Sequence, residues 1–175
     1  MSISVAAAAR ELEGRQLLTR MRKNQPERII SRIRELVGGD LPEDLIDFYH
    51  EQISKVAEYS SILPDWNPFV GWRTADDVFI RLLSHNAIPI FADDFGNLYG
   101  LDLSRSPACP AVYFFDHDRE DLGPIYAAGS SLGAFMLLLA EQDRAFEEGW
   151  PPCWELAIDP DLESCPRAPP IWAAG

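Results

Sequence analysis

Gly129-Ser130-Ser131-Leu132-Gly133 fits G-x-S-x-G, the nucleophile elbow of serine hydrolases. It stands after a short apolar run and before a helical pattern, where an elbow belongs. The hydrolase arrangement needs Ser, then Asp or Glu, then His in chain order. All three histidines, His50, His85 and His117, precede Ser131. A cheaper reading explains the same residues. Gly129 permits a turn, and Ser130 or Ser131 accepts a hydrogen bond from an orphan amide at a helix start. A small hydrolase using Ser131 is retained only as the weakest alternative.

Two acidic stretches could bind a cation. "FADDFGNLYGLDL" carries Asp93, Asp94 and Asn97. A calcium loop wants D-x-[DN]-x-[DN]-G and a later Glu, and Gly96 follows Asp94 too soon. A tight turn uses Asp, Gly and Asn without any ion. "FFDHDRED" sets Asp116, His117 and Asp118 side by side, a set that could ligate a metal or move protons. On a strand, consecutive side chains point to opposite faces, so these three diverge unless the chain bends. A polar strand end with solvated charges is expected. The chain has no phosphate-binding loop, no dinucleotide fingerprint, no H-E-x-x-H and no paired-cysteine zinc motif. The reading is therefore of a chain with no catalytic residue, metal or cofactor.

The balance of charge points the same way. With 28 acidic and 15 basic residues the net charge is −13, which repels nucleic acid phosphates and steers a basic partner inward. No run approaches the roughly 20 apolar residues of a membrane span, and the first residues lack the basic start of a signal peptide. No membrane role and a cytoplasmic location are expected. Three cysteines without a C-x-x-C pair suggest free thiols.

The elements that must position these residues follow from periodicity. Val5, Ala8, Ala9, Leu12, Leu17 and Met21 make an imperfect helical stripe from Val5 to Arg22. Pro26 opens a second helix with Ile29, Ile30, Ile33, Leu36 and Val37 on one face, and Gly38-Gly39 stops it. Leu41-Pro42 opens a third, with Leu45, Phe48, Tyr49 and Ile53 on its stripe. A Pro/Trp-rich loop follows, and Thr74 begins a fourth helix with Val78, Phe79, Leu82 and Leu83. Strands are expected at Ile88 to Ala92, Leu98 to Leu103, Ala111 to Phe115 and Ile125 to Ala128. Leu132, Phe135, Met136, Leu139, Asp143 and Phe146 mark the last long helix. Helices, hairpins, then a helix make an α+β order: an antiparallel sheet packed against N-terminal and C-terminal helices. Residues 1–148 are expected to form a single domain with an N-terminal helical extension. Residues 149–175, with Trp150, Trp154 and Trp172, are expected to pack back on it.

"LPEDLIDFY", "IPIFADDFGNLYGLDLS", "AVYFFDHD" and "IYAAGSSLGAFMLLLAE" occur in an order that resembles the SUKH superfamily, the Smi/Knr-type domain. The likeness covers roughly Leu41 to Glu141. It departs where that family often has an Asn-Gly-Gly-like turn; here "ISKVAEYSSILPDWNPFVGW" stands instead. The resemblance implies an α+β domain that binds proteins rather than catalyses. Many bacterial members look like immunity proteins that neutralise toxins, and fungal relatives regulate cell-wall assembly. A protein partner with a basic surface, a nuclease toxin among the candidates, would meet Asp93, Asp94, Asp116, Asp118, Glu120 and Asp121. Tyr99, Trp66 and Trp72 are the expected aromatic anchors. A regulatory or scaffold domain of the same fold is the other reading.

Overall fold

The computed structural model describes residues 3–21, 25–61, 82–104, 110–121 and 123–170. Helix α1 (Val5–Gly14) starts at Ser4, whose hydroxyl accepts from the Ala7 amide at 3.3 Å. It buries Val5, Ala8, Ala9 and Leu12. The expected continuation to Arg22 does not form. Gln16 takes a left-handed conformation (φ 61°), and Leu18–Arg20 becomes strand β1. The reason lies in where the backbone donors and acceptors go. The Leu17 carbonyl accepts from the Ala57 amide and the Met21 amide donates to the Gln52 carbonyl, at the two ends of the segment Ile53–Val56 that pairs with β1.

Helix α2 (Pro26–Val37) places Pro at its first turn and ends on Gly38 in the left-handed region. Helix α3 (Glu43–His50) buries Leu45, Phe48 and Tyr49. Its stripe was expected to include Ile53. Instead Gln52 turns with φ 54°, and Ile53–Val56 is β2, which hairpins through Ala57-Glu58 into β3 (Tyr59–Ser61). Most of the expected fourth helix lies outside the described residues, as do Trp66, Trp72 and Trp172; Leu82 to Ser84 are helical.

Strands β4 (Ala87–Ala92), β5 (Leu98–Asp102), β6 (Val112–Phe115) and β7 (Tyr126–Gly129) form close to the expected positions. The seven strands lie in chain order and every neighbouring pair is antiparallel. Helix α4 (Leu132–Glu148) completes an α+β architecture. One face of the sheet meets the helices, in a cluster that includes Phe48, Phe91, Tyr99, Leu101 and Phe135. Alternate residues of the same strands, among them Leu98, Tyr113, Phe115 and Ala127, pack instead with Leu162 and Ala168 of the tail. Leu138 of α4 belongs to this second cluster.

The tail carries two short 3₁₀ turns, Trp154–Ala157 and Leu162–Ser164. It is held by polar contacts as well as by burial. Asp159, 3% exposed, accepts from the Ser130 amide and hydroxyl at 2.6 and 2.5 Å. Arg167 reaches the wholly buried Asp102 at 2.8 Å and donates to the His85 carbonyl at 2.8 Å. The Ala127 amide donates to the Pro169 carbonyl, so the tail occupies part of the outer edge of β7. Among the described residues, no helix is long and apolar enough to cross a membrane.

Candidate functional site

The elbow motif is accounted for atom by atom. The Ser131 hydroxyl is 1% exposed, accepts from the Ala134 amide at 3.2 Å and donates to the Ile3 carbonyl at 3.3 Å. Both glycines are places of close approach. A Cβ on Gly129 would lie 2.5 Å from Phe135 Cβ, and one on Gly133 would meet the Ile3 carbonyl and lie 2.7 Å from the Ser4 carbonyl carbon. The motif therefore lets the chain entering α1 cross directly over the first turn of α4. The histidines are engaged elsewhere: His50 lies 3.5 Å from Glu27, His117 contacts Asn97 and Asp118, and His85 gives its carbonyl to Arg167.

The acidic residues gather at one end of the sheet. In an antiparallel meander the chain reverses at alternate ends. The β2–β3, β4–β5 and β6–β7 connections thus share an end, and β4–β5 and β6–β7 touch there. His117 Nδ1 lies 3.1 Å from Asn97 Oδ1. Asp93 organises its turn by accepting from the Phe95 amide, the Asn97 amide and Asn97 Nδ2 at 2.8 to 3.0 Å. Asp94 is exposed beside it. On the second tip, Asp116 accepts from the Asp118 amide at 2.9 Å, and Arg119 pairs with Asp121 at 2.9 Å. That pair, with the Gly123 amide as the next contributor, holds the Asp121 carboxyl below its usual range. Glu120 is exposed. Asp143 of α4 belongs to the same end. Burial pushes the Tyr59 hydroxyl up to about 12, and Asp143, Asp93 and Asp94 add to it.

Asp116, His117 and Asp118 meet the condition under which they were expected to converge, a bend in the chain. The strand ends at Phe115 and the chain turns, bringing one potential ligand atom of each within 4.8 Å of the others. The group could hold a cation, with its carboxylates also serving the turn and the His117 ring. Tyr99 is corrected as a surface anchor: it is 3% exposed. Its ring lies in a cross-strand row with Tyr59 at 6.0 Å and Phe114 at 5.4 Å, against Phe135 at 4.9 Å. Phe114 stacks in turn on Tyr126, at 4.7 Å. Desolvation raises the hydroxyls of Tyr99 and Tyr126, the latter to about 12.

Among the described residues, the exposed large aromatics are two phenylalanines outside the expected anchors. Phe95, in the β4–β5 turn, is 82% exposed; Phe146, assigned to an apolar stripe, is 90% exposed. The signal at Phe95 was its place inside D-D-F-G-N. A tight turn has no inner face in which a ring can be buried. At Phe146 the signal was its place in the helix's closing turn, followed at once by Glu147, Glu148 and the capping Gly149.

No curated protein and no solved structure matches the chain. Residues 26–138, from the start of α2 into α4, match a family model, and this span contains strands β2 to β7, both acidic tips and Ser131. With the α+β layers, the Leu-Pro entry to α3 and the serine-capped α4 already in place, that match makes the chain a member of the SMI1 / KNR4 family (SUKH-1).

Proposed function

We propose that the protein is a non-catalytic binding domain, a bacterial immunity protein that neutralises a toxin with a basic surface, docking it on the acidic end of the sheet. The observation that carries this reading is Phe95. A phenylalanine 82% exposed at a hairpin tip costs solubility and returns nothing to the core. An apolar ring among charges is the usual form of an interface anchor. Around it stand Asp93, Asp94, Asp116 and Asp118, with Glu120 and Asp121 further along the second tip. At net charge −13, long-range attraction would bring a basic partner, such as a nuclease with a phosphate-binding groove, to this surface. Membership in the SMI1 / KNR4 family supports protein binding as the role.

The test is to co-purify the chain with the product of its neighbouring gene and measure affinity by calorimetry. Phe95→Ala is expected to weaken the complex by roughly 30-fold, the scale of an interface hot spot, with its melting temperature unchanged. Asp94→Asn combined with Asp118→Asn should mainly slow association. A complex indifferent to all three substitutions sinks the proposal.

A further inference from the structure

Phe146 brings little to the core. Its ring is 90% exposed near the C-terminal end of α4. Asp143 and Glu147 share its side of the helix and are exposed too. The choices on this side work against the helix. Asp143 and Glu147 are like charges at a four-residue spacing, which repel. Glu147 also stands in the last turn, at the negative end of the helix dipole. No cation relieves them. Arg144, the helix's one basic residue, lies 3.4 Å from Glu141, 3.7 Å from Glu148 and 4.7 Å from the Trp150 ring centre. Neither Asp143 nor Glu147 has a salt bridge among the described residues. Local choices that oppose the fold collect where a protein does its work.

The topology brings this turn to the acidic end. Strand β7 leaves that end at Tyr126, opposite Phe114, and reaches Gly129 at the other. Helix α4 then runs back. Phe135 meets the Tyr99 ring at 4.9 Å, and Gln142 borders a small cavity together with Tyr99 and Tyr126. The next residue, Asp143, acts on the Tyr59 hydroxyl along with Asp93 and Asp94. Phe146 follows Gln142 by one turn, about 6 Å along the axis.

An apolar ring between unpaired carboxylates complements a surface that is apolar at its centre and cationic around it. A second copy of this chain would set the same carboxylates against each other, and anionic lipid headgroups would repel them as well. We propose that Phe146 is a second anchor for the basic protein partner, its ring entering an apolar hollow there while Asp143 and Glu147 meet lysine or arginine at the rim. The inference rests on the acidic end being the partner surface, and extends that surface from the β4–β5 turn to α4.

In the chain alone, Phe146→Lys puts a cation between the carboxylates and at the favourable helix end. It is expected to raise the melting temperature by about 2 °C. A fall would show that the ring serves the fold, and overturns the proposal. In the complex with the neighbouring gene's product, Phe146→Ala should weaken affinity about tenfold by calorimetry. Asp143→Asn combined with Glu147→Gln should slow association more than it changes dissociation. Phe95→Ala, measured alongside, separates the two readings. A complex that responds to Phe95→Ala and ignores Phe146→Ala overturns the second anchor and keeps the hairpin. One that responds to Phe146→Ala and ignores Phe95→Ala keeps the helix contact and sinks the hairpin. Self-association of the wild-type chain that Phe146→Ala abolishes overturns the proposal, and so does the absence of any complex.

Discussion

Ser131 has both of its hydrogen bonds inside the fold, one to Ala134 and one to Ile3, so its removal is a question of stability. Ser131→Ala should cost about 1 kcal/mol, read as a lower urea midpoint with an unchanged slope. Gly133→Ala should cost about 1–3 kcal/mol, because the added carbon meets backbone that cannot swing aside. Glu155 carries a pH signature. Burial raises its carboxyl above the ordinary value of 4.5. A raised carboxyl contributes stability that is complete below that ordinary value and is lost as pH rises through the folded-state value. Glu155→Gln should therefore melt higher than the wild type at pH 7, with the difference shrinking as pH falls through the raised folded-state value and gone below 4.5. A gap that widens on acidification would show the carboxylate to be stabilised by something in the fold. At this scale the sequence was legible where a residue's neighbours are local. Ser131 caps its own helix, and Asp93 and Asn97 close their own turn. It was illegible where the partner is distant: Asp159 on Ser130, Arg167 on Asp102 and the aromatic row around Tyr99 join residues no periodicity connects.

Among the elements, the early helices and the later strands and helix announced themselves, and the short early strands did not. Strands β4 and β6 are rich in β-branched and aromatic residues, β5 and β7 are apolar runs each carrying a tyrosine, and turn signals separate them; α4 has a capping serine before and a glycine after. Strands β1 and β3 have three residues each, too few for alternation to register, and β2 inherits Ile53 from what reads as a helical stripe. Their turns are made by Gln16, Gln52 and Ala57 at positive φ, residue types that give no warning of it. The tail is the element whose attachment can be tested. Arg167 supplies a charge to Asp102, which is wholly buried and has its second oxygen without a hydrogen bond among the described residues. Arg167→Met strands that charge and should cost about 3 kcal/mol in chemical denaturation. Arg32→Met, which breaks an exposed pair with Glu35 on α2, should cost less than about 1 kcal/mol.

At the scale of the molecule, charge and shape divide the work. The helices and tail enclose both faces of the sheet, while Asp93, Asp94, Phe95, Asp116 and Asp118 sit where the strands turn back. Attraction from a net charge of −13 acts over distance and is screened by salt, whereas burial of Phe95 acts on contact and is not. Raising sodium chloride from about 50 to about 500 mM should slow association with a basic partner roughly tenfold or more and leave dissociation nearly constant. Equal effects on both rates would place the charges inside the contact rather than around it. The β4–β5 turn has one further consequence. Asp93 and Asn97 maintain its conformation through bonds to each other and to the backbone. The side chains of Asp94 and Phe95 point to solvent and take no part in the interior. Those two positions can be rewritten without taxing the chassis, so a change of quarry requires no redesign of the fold.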